Sequence, residues 1–137
     1  MNDQDVTPGA NEGSAESPLH AAAWAGNLPL VQQLVENGAD VNWRDSTGES
    51  AIFGACSWGN VEVVRYLLAM GARHDFAEAH GYTALHWAAS HGNAETIEAL
   101  LEAGADPHAR DATGRTPLEV ARAEANRDCL MRFLASP

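Results

Sequence analysis

From Ser17 to the C-terminus the apolar positions of the chain fall into columns. Leu19, Ile52, Leu85 and Leu118 stand 33 residues apart, and Ala22, Ala55, Ala88 and Ala121 follow at the same interval. Leu34, Leu67, Leu100 and Phe133 make a third apolar column. Polar positions keep the same register, as Asn27, Asn60, Asn93 and Asn126 show, while the column Gly38, Gly71, Gly104 stops before the chain does. A period of 33 written four times predicts a unit that stacks on copies of itself, because one such unit cannot bury its apolar face alone.

Inside the unit the pattern predicts two helices and a turn. Ser17, Ser50, Thr83 and Thr116 stand where a helix N-cap accepts an orphan N–H, and Pro18 and Pro117 then occupy the first helical position, where the missing N–H costs nothing. About seven small, Ala-rich residues follow, suited to a closely packed inner helix. Gly26, Gly59 and Gly92 end it in a place that suits a left-handed cap; Ala125 stands there in the last repeat. An outer helix comes next. In repeat two it runs Val61 to Leu68, apolar at helical spacing, with Glu62 and Arg65 outward. In repeat one Pro29 sits in its first turn. The Gly38, Gly71, Gly104 column stops these helices, and an extended segment leads to turns at Asp45-Ser46-Thr47-Gly48 and Asp111-Ala112-Thr113-Gly114. Residues 1–16 are polar, contain Pro and Gly, and predict a disordered tail. The chain therefore divides into a tail at 1–16 and a repeat domain at 17–137, with repeats at about 17–44, 45–77, 78–110 and 111–137.

The recurring phrase, SPLHAAAWAGN from Ser17 and TALHWAASHGN from Thr83, resembles the ankyrin repeat. The resemblance implies an all-α solenoid of stacked helix-turn-helix units with short β-hairpin-like loops. It also implies that His20 and His86 bond to the hydroxyls of Ser17 and Thr83 and to the backbone of the neighbouring repeat. Phe53 and Glu119 depart from the motif, which puts the polar clip of repeat two in doubt.

Charge narrows the partner. The chain has a net charge of -11 and no Lys. Residues 1–109 carry fifteen acids and three Arg, a net of -12, and residues 110–137 carry four acids and five Arg, a net of +1. That field opposes phosphate backbones and anionic membranes, and it suits a basic protein partner as well as simple solubility. The six His form no H-E-x-x-H or other ligand set, and no nucleophile triad or phosphate loop is present, so no metal, cofactor or catalytic residue is expected. Cys56 takes the place of an Ala in the sister phrases and reads as a small core residue. The start of the chain has no basic region followed by an apolar one, so a cytoplasmic location is expected.

The resemblance implies that a partner meets the concave face, made of the loop tips and the open side of the inner helices. Carried over by column, that face holds Trp24, Arg44, Thr47, Glu49, Ser57, Trp58, His80, Tyr82, Ser90 and His91. Trp24 and Trp58 are the anchors, because a repeat protein needs no Trp in a solvent-facing slot and aromatic residues dominate interfaces. Trp87 reads as packing between repeats. Trp43 and Phe76 share a column and either stack on each other or form a second exposed strip. Gly54 either leaves a dent beside Trp58 or only weakens its helix. The expected function is non-catalytic binding of a folded protein by a chain that is monomeric when free. The alternative is an immunity or inhibitor protein that blocks the basic active site of a toxin or enzyme.

Overall fold

The computed structural model describes residues 17–135, so the expectation for residues 1–16 lies outside the described residues. Eight helices and no strand occur among them. They are α1 (Pro18–Ala25), α2 (Leu28–Glu36), α3 (Ala51–Ser57), α4 (Val61–Ala69), α5 (Ala84–His91), α6 (Ala94–Glu102), α7 (Pro117–Val120) and α8 (Glu124–Ala135). Odd-numbered helices stack on one another as an inner layer, and even-numbered helices stack as an outer layer. The fold is an all-α repeat solenoid.

The columns explain the layers. Ala22, Ala55 and Ala88, with Ala23, Cys56 and Ala89 beside them, are buried between inner helices. Their small side chains allow the close approach, and Ile52 and Leu85 fill the remaining core. Burying one such aliphatic side chain stabilises by about 1.5–3 kcal/mol. Val31, Val64, Leu67, Ile97 and Leu100 seal the outer layer. The third apolar column is buried only where repeats flank it on both sides. Leu67 and Leu100 are fully buried, Leu34 is half-buried and Phe133 is 45% exposed, because the end repeats lack one neighbour.

The Asn column ties each repeat to the one before. Asn93 donates to Gly59 O at 3.1 Å, and Asn126 donates to Ala89 O at 3.1 Å and Gly92 O at 3.2 Å. These bonds satisfy carbonyls left open where an inner helix ends. The loops are held by a second column. The Asp45 carboxylate accepts the N–H groups of Thr47 and Glu49, and Asp111 accepts those of Thr113 and Arg115. Glu78 accepts those of His80 and Tyr82 in the same way. One backbone bond then joins each pair of adjacent loops, Ala79 N–H to Thr47 O and Ala112 N–H to His80 O. A single bond per step links the loops without making a sheet.

Three local expectations change. Gly26 and Gly59 take the left-handed conformation, at φ 72° and 70°, but Gly92 does not, at φ -94°. Gly92 is needed for space, since a Cβ there would collide with the carbonyl oxygens of Cys56 and Ala88. The last repeat breaks its inner helix early: α7 stops at Val120, Ala121 is extended, and Ala125 lies inside α8. An Ala resists the positive φ that Gly26 and Gly59 adopt in this column, and here the chain leaves the helix before that point. Finally, Ser50 begins α3 with N-cap backbone geometry but makes no side-chain cap bond.

Candidate partner-binding face

The candidate side chains sit on the inner helices and on the loops that precede them, and the caps fix where the inner helices start. At α5 the Thr83 hydroxyl accepts the His86 N–H, and Thr83 N–H donates back to His86 Nδ1 at 3.2 Å. Because the Arg115 carbonyl can only accept, His86 Nε2 carries the proton and donates to it at 2.8 Å. His20 repeats the arrangement, with Nδ1 3.0 Å from Ser17 Oγ and Nε2 2.8 Å from Glu49 O. Thr116 and Glu119 close a capping box without His, as the Glu119 carboxylate accepts Thr116 N–H at 2.9 Å. Pro117 is buried at the first helical position. Burial, opposed by the Arg115 carbonyl and the Asp111 charge, holds the His86 imidazole below its ordinary range. Burial likewise opposes the Asp111 charge, but the N–H groups of Arg115 and Thr113, the Thr113 hydroxyl and the Arg115 guanidinium together lower its pKa to about 2.

In repeat two Phe53 occupies the His column. It is buried and cannot bond, so the Ser50 hydroxyl is buried with no partner among the described residues. The next residue, Gly54, decides where Trp24 goes. A Cβ on Gly54 would stand 3.1 Å from Trp24 Cε3 and 3.4 Å from Trp24 Cα, so a larger residue would press the indole a few tenths of an ångström off α3. By register Gly54 corresponds to Trp87 and Trp24 to Ser57. Large faces small at both junctions, with the large residue exchanged between the two helices. Gly54 thus serves close packing of Trp24, and the dent opens on the other side. A pocket of ≈ 200 Å³ lies between repeats one and two, lined by His20, Trp24, Asp45, Glu49, Ser50, Ala51 and Gly54.

The sequence-predicted residues separate into three groups. Trp24 and Trp58 meet edge to face, with centroids 5.6 Å apart and planes at 79°, and remain 53% and 60% exposed. Glu49 borders the pocket next to Trp24, and Ser57 is half-buried on the same helix as Gly54. Tyr82 and His91 form a second aromatic group through Trp87: Tyr82–Trp87 centroids lie 5.3 Å apart and Trp87–His91 centroids 5.1 Å. Trp87 is half-buried, with Nε1 unpartnered among the described residues. Burial and then the Arg122 charge hold the His91 imidazole low.

The third group is tied up in bonds within the molecule, although Arg44 and Thr47 stay exposed. Arg44 donates to Gly48 O and, at 2.9 Å, to Ala77 O, and it lies over the Phe76 ring at 4.3 Å. Thr47 bonds Asp45 through both N–H and hydroxyl. Ser90 is 6% exposed and its hydroxyl is 2.7 Å from His91 Nδ1. Arg44, Thr47 and Ser90 therefore shape the face more than they offer free groups to a partner. His80 stands exposed at a loop tip with Nδ1 3.5 Å from Glu78 Oε2. Trp43 and Phe76 do not pair with each other: Trp43 stands edge-on to the His20 ring at 5.2 Å, and Phe76 is covered by Arg44 and Arg73. Sequence reasoning missed Glu78, although the 33-residue step from Asp45 and to Asp111 marks it.

The Cys56 thiol is fully buried and pushed up by burial, which suits packing rather than nucleophilic attack. No group of three His, Cys, Asp or Glu among the described residues is placed to hold a metal ion. No helix among them is long and apolar enough to cross a membrane.

Two comparisons bear on this architecture. The sequence model of one family, described as ankyrin repeats (3 copies), matches residues 19–111 and again 75–136. A stretch of 31 residues, 23% of the chain, is 61% identical to the human protein described as ankyrin repeat domain-containing protein 31, and it covers 2% of that protein.

Proposed function

The chain belongs to the ankyrin-repeat family, whose members generally serve as protein–protein interaction modules, and we propose that it binds a folded protein partner through the inner-helix and loop face of repeats one to three, without catalysis. One observation carries this reading. The Trp24–Trp58 pair leaves more than half of each indole in solvent, on the face built by the inner helices. Such aromatic side chains are the usual anchors of protein interfaces. The Tyr82, Trp87 and His91 group continues the face into repeat three. The net charge of -12 over residues 1–109 favours a basic partner, drawn in by long-range attraction.

The test is capture of the partner by the full chain, followed by variants. Trp58→Ala should weaken the complex by roughly 2 kcal/mol or more while the chain stays folded. Glu98→Gln, on the exposed side of α6, should leave affinity unchanged. Equal loss in both, or loss in neither, sinks the proposed face. The on-rate should fall steeply with added salt while the off-rate changes little; a salt-independent on-rate leaves the acidity a matter of solubility.

A further inference from the structure

Deepening that reading, and resting on it, we propose that the pocket between repeats one and two receives a cationic side chain, arginine or lysine, presented by the protein partner. Its geometry comes from two departures from the repeat pattern. Phe53 removes the imidazole that would occupy the Ser50 hydroxyl, and Gly54 lets the Trp24 indole form one wall. The remaining walls carry Asp45, Glu49 and the His20 ring, whose two nitrogens are engaged by Ser17 and the Glu49 carbonyl.

The chemistry of the walls selects the occupant. One Asp45 oxygen is already bonded to Thr47 and Glu49 N–H groups, and it holds the acidic loop in place. The Glu49 side chain makes no hydrogen bond or ion pair among the described residues, and it lies half-buried among like charges. Burial first, then Asp45 and Glu78, push its carboxyl above the ordinary range, and the His80 charge only partly offsets them. No cationic group among the described residues is bonded to this carboxylate. Ser50, itself 1% exposed, borders the pocket with a hydroxyl that has no partner among the described residues, a second acceptor. An aromatic face beside two acceptors fits an ammonium or guanidinium group, which would lie against the indole and donate to oxygen. An apolar occupant would desolvate Glu49 and leave it unpaired, and an anion would meet two carboxylates.

The chain itself supplies no such occupant nearby. Residues 1–16 contain no Lys or Arg, and the guanidinium of Arg44 is bonded to Gly48 O and Ala77 O. The remaining Arg are concentrated at residues 110–137. A second copy reaching into the pocket with that end would make a head-to-tail contact that repeats along a filament.

The experiment titrates the isotope-labelled full chain with N-acetyl-arginine methylamide, the lysine equivalent and the neutral citrulline equivalent, following the indole N–H resonances. The Trp24 signal is identified by its loss in Trp24→Phe. The arginine and lysine probes should shift it saturably, and the citrulline probe should bind about tenfold more weakly, as expected for loss of a charge-assisted bond. Glu49→Gln should weaken the cationic probes by a similar factor, whereas Glu98→Gln should not. Equal shifts with citrulline, or an unchanged response in Glu49→Gln with its other resonances in place, overturn the proposal. Self-association that the arginine probe reverses would assign the pocket to a second copy and overturns the partner assignment. If the probes fail to bind but Trp58→Ala still releases the captured partner, the pocket is wrong and the binding face stands. If the probes bind while Trp58→Ala leaves the partner complex intact, the face is wrong instead.

Discussion

The starts of α3 and α5 occupy the same place in consecutive repeats and treat their polar atoms in opposite ways. At α5, Thr83 and His86 cap each other, and the His86 ring reaches the Arg115 carbonyl of the next repeat. At α3, Phe53 fills the same column with apolar volume and the Ser50 hydroxyl is left without a bond among the described residues. Both helices form and both stack, so the clip is not required for the fold at every junction. Buried apolar area can replace it. What changes is the surface: the clipped repeat three turns its large indole, Trp87, partly inward, while the unclipped repeat two has Gly54, and a pocket opens where it meets the exposed Trp24 of repeat one. A repeat array tolerates this because each unit needs only adequate contact with its neighbours.

Substitution can break the comparison at its strongest point. Phe53→Ala should destabilise by about 3–5 kcal/mol, since it empties a fully enclosed site. His86→Ala should cost about 2–3 kcal/mol, because it removes hydrogen bonds and leaves the Thr83 N–H, a buried donor, without its imidazole acceptor. Denaturant unfolding of both variants measures the difference, and a larger loss at His86 would mean that the polar clip outweighs the apolar one.

The two cap hydroxyls should separate further. Thr83→Ala should cost about 1 kcal/mol through the lost cap. Ser50→Ala should be neutral within roughly 0.5 kcal/mol, because the hydroxyl it removes has no partner to lose. A cost at Ser50 equal to that at Thr83 would reveal a bond that the geometry lacks.

Phe53→His sharpens the comparison by rebuilding the clip. The register of Glu49 O and Arg115 O places Tyr82 O opposite the introduced imidazole, and that carbonyl, like the other two, already accepts one loop N–H. Its second lone pair is open, so stability should stay within about 1 kcal/mol of the parent, far from the loss in Phe53→Ala. A loss as large as that of the Ala variant would show that the junction cannot accommodate the ring.

The smallest expected effect is one of pH. His86 has a depressed pKa in the folded chain. Its contribution is therefore fully present above the unfolded value of about 6.5 and is lost as pH falls through the folded value, since the unfolded chain then binds the extra proton. Melting temperature should fall as pH drops from about 7.5 toward 5.5, with a shallower slope in His86→Gln. Equal slopes would place the effect at another group.

The repeat length, the helix pairs and the caps at Ser17, Thr83 and Thr116 were legible in the sequence because they follow from local rules repeated in register, whereas the bond expected of Ser50 does not form. An N-cap hydroxyl, an Ala-rich face and a stop glycine each act within a few residues, and four copies cross-check one another. The solvent-facing slots of Trp24 and Trp58 were legible, but their edge-to-face contact was not. The roles of Arg44, Thr47 and Ser90 changed because the partners that hold them, Ala77 O, Asp45 and His91, become visible only when loops and helices are placed in space. Gly92 illustrates the same limit: its column predicts a left-handed cap, yet the approach of Cys56 O from the neighbouring repeat is what requires it. The periodic pattern set which residues face the core and which face solvent. Only stacking decided how a Phe at one position and a Gly at the next open a pocket, because that pocket belongs to the junction and exists in neither repeat alone.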